Sequence, residues 1–296
     1  MLVDETRLHI AIQKSGRLSD YSRALLRDAG LRIANGKNDL TARVENFPAD
    51  LMFVRDDDIP TFVSDGVCEY GIVGENVLQE FALGEPEPRF EILAALGFGH
   101  CVLKIAAPEA TPYDGPRSLQ GARIATSYPR LVQRFLEDRN IDATVVKMNG
   151  AVELAPRLQI APYICDLVST GATLEANGLR AVETVLETEA VLIRTRKPLA
   201  AAKADQGARL LSRIEGVLAT KDAKYIMLNA PADALQEIAS ILPGAEAPTI
   251  LPLHGRPGFF AVHAVCQESV FWETLQKLKA AGASAILVLP IEKMMM

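Results

Sequence analysis

Residues 166–179 read DLVSTGATLEANGL, and this stretch decides the interpretation of the chain. A short apolar β-run, YICDLV, ends at the turn Ser-Thr-Gly-Ala-Thr and passes directly into LEAN, which Gly178 closes. A strand, a turn rich in hydroxyl groups and glycine, and a helix start together present unpaired backbone N–H groups to an anion. The stretch therefore predicts a phosphate-binding loop.

The side chains of this turn suit the same purpose. Gly171 has no Cβ, so an anion can approach the main chain closely. Ser169, Thr170 and Thr173 add hydroxyl donors and are candidate caps of the following helix. Asp166, at the end of the strand, points to where a ribose hydroxyl or a magnesium ion would lie. For so short a motif, an ordinary threonine-capped helix after a buried strand stays open as the alternative.

Size and composition predict a globular protein of two or three domains. The chain has 296 residues, of which 49% are hydrophobic and 23% charged. No apolar run approaches the ~20 uncharged residues of a membrane span, and the start, MLVDETRLHI, lacks the pattern of a signal peptide. The cysteines form no C-x-x-C pair, so we expect buried thiols in a cytoplasmic protein; they are Cys68, Cys101, Cys165 and Cys266.

A net charge of −6 argues against broad nucleic-acid binding, which needs a basic surface. Anionic small molecules are still compatible with this charge. They require local arginines, backbone N–H groups or a metal ion.

Three predicted strands in the first third of the chain end in polar groups. LHIAI leads into a turn with Lys14, Gly16 and Arg17, ADLMFVR ends at Arg55 before three aspartates, and YGIVG precedes Glu75. In open α/β sheets ligands bind at the carboxyl ends of the strands. Singly, these segments are equally typical of a solvated turn or of a helix N-terminus favoured by its dipole. Their convergence favours a site.

The middle of the chain continues the alternation of strands and helices. EILAALGFGH predicts a strand that crosses between lobes, RIATSYP a strand that ends near Tyr128, and ATVVKMN a strand followed by a helix that carries Glu153. LRAVETVL and EAVLIRT predict two further strands. The alternation indicates a mostly parallel α/β sheet in two lobes, with a cleft between them.

The last third has a different pattern. RKPLAAAKADQGA is typical of an Ala/Lys-rich linker that feeds a helix, and from Lys224 onward the order β-α-β-β-α-β predicts a ferredoxin-like unit. Because this unit follows a linker and lacks a phosphate-binding motif, it is interpreted as a regulatory or assembly domain.

Several motifs in this order resemble the long-form ATP phosphoribosyltransferases, nearly from end to end. They are DLVSTGATLEANGL, NGAVELAP, QKSGRL, VRDDDIP, GIVGEN, PGAEAPTILPL and GASAILVLPIEKM. The resemblance implies the first step of histidine biosynthesis, in which N1 of ATP attacks 5-phosphoribosyl 1-pyrophosphate and pyrophosphate leaves, with Mg²⁺ as cofactor. It also implies an α/β fold with a two-lobed, periplasmic-binding-protein-like catalytic core and a C-terminal ferredoxin-like regulatory domain.

The resemblance implies domain boundaries and partners as well. Lobe I would span 1–98 and be completed by about 185–223, lobe II would span 99–184, and the regulatory domain 224–296. The partners would be ATP, phosphoribosyl pyrophosphate, histidine as an inhibitor bound between subunits, and further copies of the chain in a dimer and a hexamer. No nucleic acid or membrane is implied.

Site residues carry over from matching motifs. The phosphoribosyl pyrophosphate loop would comprise Ser169, Thr170, Gly171, Ala172, Thr173 and Leu174. Asp166 and Glu153 would be the catalytic acids that face the ribose hydroxyls. The ATP side would comprise Lys14, Gly16, Arg17, Arg55, Glu75 and Tyr128. The histidine site would include Ala245, Thr249 and Ala285. No residue is assigned to the metal.

The chemistry of the reaction fits these residue types. Displacing pyrophosphate from a ribose requires a phosphate cradle, partners for the ribose hydroxyls and stabilisation of the leaving group by a metal. The nucleophile is an adenine nitrogen, so no activated serine or cysteine is needed, and His9, inside a strand, is interpreted as structural.

Two other classes of function stay open at this stage. One is a two-lobed binding protein that senses a nucleotide or sugar phosphate; the other is a catalytically idle partner subunit, against which the complete T-G-A-T loop counts. Purine-salvage phosphoribosyltransferases carry two adjacent acids before their loop, whereas this chain has Cys165 and Asp166 there. That difference disfavours a salvage enzyme.

Overall fold

The computed structural model describes residues 6–34, 40–85, 87–242 and 247–294, with residues 269–271 described by their backbone only. The described residues form two compact units. The larger extends to Gly207 without residues 28–30, and the smaller comprises residues 28–30 and those from Ala208 onward. The smaller unit thus begins ahead of Lys224, and the functional domain boundaries stay a prediction. Within the described ranges, no helix is long and apolar enough to cross a membrane.

Fifteen strands and eight α-helices make up the two units. The strands are β1 (Leu8–Gln13), β2 (Thr41–Arg43), β3 (Ala49–Val54), β4 (Tyr70–Gly74), β5 (Phe90–Ala95), β6 (Cys101–Pro108), β7 (Arg123–Thr126), β8 (Thr144–Lys147), β9 (Tyr163–Val168), β10 (Leu179–Thr188), β11 (Ala190–Thr195), β12 (Ala223–Pro231), β13 (Thr249–Pro252), β14 (Phe259–Gln267) and β15 (Ser284–Pro290). The helices are α1 (Arg17–Asp28), α2 (Ile59–Ser64), α3 (Glu75–Ala82), α4 (Pro129–Glu137), α5 (Ala172–Ala176), α6 (Ala201–Leu218), α7 (Leu235–Ile241) and α8 (Glu268–Ala280).

The larger unit contains two sheets, which we call the first and second lobe with their helices. The first lobe has the strand order β2-β3-β1-β4-β11-β5, and the second has β10-β6-β9-β7-β8. β3, β1 and β4 are parallel, as are β9, β7 and β8, while β2, β5, β6, β10 and β11 run antiparallel to their neighbours. The prediction of a mostly parallel sheet is therefore wrong. The chain leaves the first lobe after β5 and returns with β11. On entering the second lobe it forms β6, and on returning to the first lobe it forms β11, and both strands run antiparallel to their neighbours.

The central strands of the second sheet are buried on both faces. Ile105 and Ala106 are neighbours on β6, and they enter cores on opposite faces of the sheet. The core around Ile105 includes Phe135 of α4, and the core around Ala106 includes Leu174 of α5. Burial on both faces explains the continuous apolar runs of these strands.

Four local predictions need correction. β5 is an edge strand of the first sheet, so the crossing between lobes is made by the residues after it. Glu153 lies on a single 3₁₀ turn, Val152–Leu154, and Pro156 has no N–H to donate the hydrogen bond that would extend it into an α-helix. The Ala/Lys-rich linker is mostly helical, since α6 begins at Ala201 and alanine has the highest helix propensity. In addition, β2 and β6 are strands that the sequence patterns do not predict.

A buried polar cluster holds β1 in the first lobe. Glu69 Oε1 accepts a hydrogen bond from Lys203 Nζ at 2.6 Å, and Glu69 Oε2 accepts one from the His9 backbone N–H at 2.7 Å. The His9 ring lies 3.5 Å from the same carboxylate. His9 is thus a core residue, as the sequence predicts.

The smaller unit confirms the ferredoxin-like prediction. Its four strands are all antiparallel in the order β13-β14-β12-β15. Ile226 and Leu228 of β12 pack with Ile238 of α7 and Leu278 of α8 in one core. The alternation of apolar residues along β12 and β14 produces this one-sided burial.

Candidate functional site

The first lobe presents three loops at one edge of its sheet. β3, β1 and β4 are adjacent and parallel, so the loops that follow them lie together. These loops carry Lys14 and Arg17 after β1, Arg55 after β3 and Glu75 after β4. Gly16 has a φ of 94°, which a residue with a Cβ rarely adopts, and it lets the chain turn directly into α1.

The second lobe presents a corresponding edge. β9, β7 and β8 are adjacent and parallel, and their carboxyl ends carry the remaining predicted site residues. Tyr128 follows β7, Glu153 follows β8, and Asp166 belongs to the last half of β9. Both sets of loops are therefore at ligand-binding edges of α/β sheets.

Hydrogen bonds join the two edges directly. Arg17 Nη2, in the first lobe, donates to Ser169 Oγ at 3.0 Å in the second. Asn76 Nδ2 donates to Tyr128 Oη at 3.0 Å. A cavity of about 360 Å³ opens beside these contacts, lined by Glu75, His100, Cys101, Val102, Val168, Ser169, Glu187, Thr188 and Glu189. Cys101 is only half-buried in this cavity, which corrects the expectation that all four thiols are buried.

The predicted phosphate loop is open to solvent. Ser169, Thr170 and Thr173 are exposed, whereas Leu174 is buried in the core of the second lobe. Gly171, with a φ of 82°, is the N-cap of α5, and no side chain caps this helix. The prediction that the hydroxyls cap the helix is therefore wrong. Their exposure leaves them on the surface that a phosphate would approach.

Glu153 is close enough to Asp166 for its charge to act on the Asp166 carboxyl. Burial raises the pKa of the Asp166 carboxyl, and the charge of Glu153 raises it further, while the bond from the Leu167 backbone N–H opposes both effects. That N–H donates to Asp166 Oδ1 at 2.8 Å. The fold thus brings together the two acids that the sequence predicts as a pair.

Carboxylates from both lobes surround Tyr128. Burial raises the pKa of its phenol well above the ordinary value, and the charges of Asp56, Asp166 and Asp57 add to this effect. The phenol is therefore neutral near pH 7 and can donate a hydrogen bond. Lys147 of the second lobe lowers the pKa of Asp57, although loss of hydration and the neighbouring aspartates raise it overall.

Three residues of this region make contacts that the sequence does not predict. Asn76 and Thr188 are buried polar residues that bond to each other, and Glu80 of α3 accepts the backbone N–H groups of Arg130 and Leu131. Asn76 lies within the GIVGEN motif, so its type and position were visible. Its partners are far away in sequence, and for that reason no local pattern reveals the contacts.

Two of the residues predicted for the histidine site, Thr249 and Ala285, lie in the smaller unit, and the structure does not bring these two together within one chain. Thr249 begins β13 and Ala285 lies on β15, and these are opposite edge strands of the four-stranded sheet. Both residues are exposed, and Ala285 has a φ of 49°. Ala245 lies outside the described residues.

The fold and the cleft define a class: a two-lobed α/β core with a ferredoxin-like C-terminal unit. The family model of ATP phosphoribosyltransferase matches residues 55–216, and that of the HisG C-terminal domain matches residues 220–293. An ATP phosphoribosyltransferase of Maricaulis maris (strain MCS10) is 55% identical over 98% of this chain and 99% of its own length. The chain therefore belongs to the ATP phosphoribosyltransferase family, pentosyltransferases of histidine biosynthesis.

A solved structure supports the fold. The ATP phosphoribosyl transferase (HisG:HisZ) complex from Thermotoga maritima superposes with a TM-score of 0.59 at 23% identity. The match covers 71% of this chain and 97% of the Thermotoga chain.

Proposed function

We propose that the chain joins ATP to 5-phosphoribosyl 1-pyrophosphate. The N1 atom of adenine attacks the anomeric carbon of the ribose, the bond from that carbon to the pyrophosphate oxygen breaks, and N1-(5-phosphoribosyl)-ATP and pyrophosphate result. One observation carries this proposal. The exposed hydroxyl- and glycine-bearing loop of the second lobe lies across a cleft from the strand ends of the first, with Arg17 and Ser169 in contact.

The phosphoribosyl pyrophosphate side is assigned to the second lobe. Residues 169–174 hold the 5-phosphate through backbone N–H groups and the hydroxyls of Ser169, Thr170 and Thr173. The left-handed Gly171 keeps side-chain atoms away from the anion, and no other group lies within 4 Å of a Cβ built there. Leu174 anchors the loop in the core beneath.

Asp166 and Glu153 face the ribose hydroxyls in this assignment. Positive charge develops at the anomeric carbon as pyrophosphate leaves, and a carboxylate fixed beside the ribose stabilises it. Asp166 is half-buried and held by the Leu167 N–H, so its carboxylate has little reorganisation to undergo during the reaction.

The ATP side is assigned mainly to the first lobe. Lys14 and Arg17 supply positive charge for phosphate oxygens, and Gly16 permits close approach of the backbone. Arg55, Glu75 and Tyr128 complete the set, and Tyr128 reaches it from the second lobe. The two substrates would thus meet between the two edges, with their reacting atoms oriented by opposite lobes.

The residues of the cleft fit Mg²⁺ bound together with substrate. Among the described residues, no cluster of three or more His, Cys, Asp or Glu side chains forms a cage for a metal. Mg²⁺ usually binds through one or two carboxylates together with substrate phosphates. Asp166, at the carboxyl end of β9, is the carboxylate assigned to this role, and a bound cation would offset the cost of burying its charge. The ion would neutralise charge on the departing pyrophosphate.

Histidine inhibition is assigned to the smaller unit. That unit carries neither of the two cleft edges, and it is a separate compact body with its own core. Thr249 and Ala285 lie on opposite edges of its sheet, so a site that uses both requires two copies of the chain. The proposal is therefore a homo-oligomer, dimeric and hexameric, in which histidine binds between copies and favours the less active arrangement.

Pyrophosphate release tests the catalytic part of the proposal. We expect release that requires ATP, phosphoribosyl pyrophosphate and Mg²⁺ together, and a product that carries both the triphosphate and the new ribose phosphate. A protein that binds both compounds without releasing pyrophosphate would instead be a sensor.

Histidine titration tests the regulatory part. The intact chain should be inhibited without histidine competing against ATP, and Thr249→Arg should raise the histidine concentration for half-inhibition, with each rate normalised to the same variant without histidine. Gln236→Arg, at an exposed site on α7, is the matched control and should leave that concentration unchanged. Simple competition with ATP and no effect of Thr249→Arg would place histidine in the cleft.

A further inference from the structure

A buried chain of hydrogen bonds crosses between the lobes and ends at Tyr128. Thr188, at the end of β10 in the second lobe, bonds to Asn76 at the start of α3 in the first lobe. Asn76 in turn bonds to Tyr128 in the second lobe. Asn76 is 3% exposed and Thr188 is 6% exposed, so water does not compete for these bonds.

For each of these hydrogen bonds, the adjacent hydrogen bond determines which group donates and which accepts. The backbone N–H of Asn76 donates to Thr188 Oγ1 at 3.0 Å, and the hydroxyl proton of Thr188 goes to Asn76 Oδ1 at 3.2 Å. Because the amide oxygen faces Thr188, the amide NH₂ faces Tyr128 and donates to its Oη at 3.0 Å. Tyr128 therefore accepts in this pair and keeps its own proton for another acceptor.

No acceptor for that proton exists within the part of the chain that the structure describes. The bond from Asn76 is the one side-chain hydrogen bond that Tyr128 makes there. The charges that act on the phenol come from Asp56, Asp57 and Asp166, which flank the cleft in both lobes. The free proton is thus available to a bound molecule.

The absence of a side chain at Gly74 leaves room for the Asn76 amide. A Cβ at position 74 would lie 2.4 Å from Asn76 Oδ1, so any larger residue would displace the amide. Gly74 has a φ of −69°, which all residues adopt easily, so its backbone conformation does not require glycine. The space for the Asn76 amide is the remaining reason for glycine at this position.

We propose that Thr188 and Asn76 are positioning residues that orient the Tyr128 hydroxyl as a hydrogen-bond donor to ATP. Tyr128 touches the nucleotide, whereas Asn76 and Thr188 act through Tyr128. This inference rests on the proposed function, because it assigns the acceptor to the ATP side of the cleft. It extends that function by showing how residues of both lobes determine the polarity of one binding contact.

The test is a double-mutant cycle with ATP alone as the probe. Thr188→Val keeps the side-chain shape and removes the hydroxyl, and it should weaken ATP binding roughly tenfold in calorimetry. In a Tyr128→Phe background the same substitution should change ATP affinity less than about twofold, because the group that Thr188 orients is gone. Thr188→Ser, which keeps the hydroxyl group, should bind ATP as the unmodified protein does. Thr184→Val, at an exposed site on the same strand, is the matched control and should have no effect.

Two outcomes would overturn the inference: equal losses of ATP affinity in both backgrounds, and unchanged affinity in Thr188→Val. If Thr188→Val unfolds, Gly74→Ala replaces it in the same cycle, since it displaces the amide without removing a polar group. Pyrophosphate release by the unmodified protein is measured in parallel. If pyrophosphate is released but the loss of ATP affinity in Thr188→Val does not depend on Tyr128, the inference is overturned and the proposed reaction stands. If the loss depends on Tyr128 but no pyrophosphate is released, the inference is supported and the proposed reaction is overturned.

Discussion

Two strand-to-helix turns of similar sequence chemistry are built in opposite ways. In the turn from β4 to α3, the backbone N–H groups of Glu75 and Asn76 already have partners, Glu189 O at 2.9 Å and Thr188 Oγ1 at 3.0 Å. In the turn from β9 to α5, the hydroxyl side chains of Ser169, Thr170 and Thr173 are exposed instead. The protein itself supplies the hydrogen-bond partners of the first turn, whereas the hydroxyl groups of the second turn face solvent.

This difference separates the work of the two turns. The β4 turn uses its polar groups to hold the lobes together and to orient Tyr128. In the proposed function the β9 turn uses its polar groups for substrate, so part of its ordering cost would be offset only when phosphate binds. Substitutions in the β9 region should therefore affect substrate binding and turnover, and those around α3 should affect stability and geometry.

The largest effect is expected at Asp166, on the strand that leads into the β9 turn. Asp166→Asn keeps the size of the side chain and removes its charge, so kcat/KM should fall by about two orders of magnitude while the fold is retained. Asp142→Asn, at an exposed turn, is the control and should be neutral. Steady-state kinetics with circular dichroism checks this, and a variant with normal kcat/KM would make Asp166 structural.

Thr173→Ala should weaken phosphoribosyl pyrophosphate binding by roughly 10- to 100-fold, because a hydrogen bond to a charged phosphate is worth ~1.5–3 kcal/mol. ATP affinity should not change. Separate binding titrations measure the two affinities, with Thr144→Ala at an exposed strand end as the control. Equal losses for both substrates would contradict the assignment of this loop.

In the region of the β4 turn, substitution of Glu80 on α3 by alanine (Glu80→Ala) should lower the free energy of unfolding by ~1–2 kcal/mol. The Glu80 carboxylate accepts the backbone N–H groups of Arg130, at 3.0 and 3.1 Å, and Leu131, at 2.9 Å, at the start of α4. Glu137→Ala, at the other end of the same helix, should cost less than about 0.5 kcal/mol. Denaturant titration compares the two variants, and equal costs would show that the contact between lobes adds no stability.

The smallest effect is expected in the pH profile of Glu153→Gln. Burial and the charge of Glu153 raise the pKa of Asp166, so its active carboxylate form is lost as the pH falls through that raised value. Removing the Glu153 charge lowers the pKa of Asp166, and the acidic limb of kcat/KM should move to lower pH. The midpoint of that limb is the readout, whatever the change in maximal rate. A shift to higher pH would contradict the proximity of the two acids.

The parts of the fold that sequence could predict are those with local causes. Alternating apolar residues predict the ferredoxin-like unit correctly, and the order of strand, glycine turn and helix around Gly171 is also as predicted, while the role of this loop stays a prediction. Strand direction was mispredicted because β6 and β11 take their neighbours from distant segments, which periodicity does not report. Thr188 was missed for the same reason: its partner Asn76 is 112 positions away.

The position of β11 has a consequence for synthesis on the ribosome. β11 pairs with β4 on one side and β5 on the other, so it lies inside the first sheet although Ala190 follows the whole second lobe in the chain. A nascent chain that ends before Ala190 holds five of the six strands but lacks the one that joins β5 to the rest. Until β11 emerges, β4 presents an unpaired apolar edge that is open to pairing with other chains. Of the two lobes, the one that is translated first is therefore the one whose sheet is completed last.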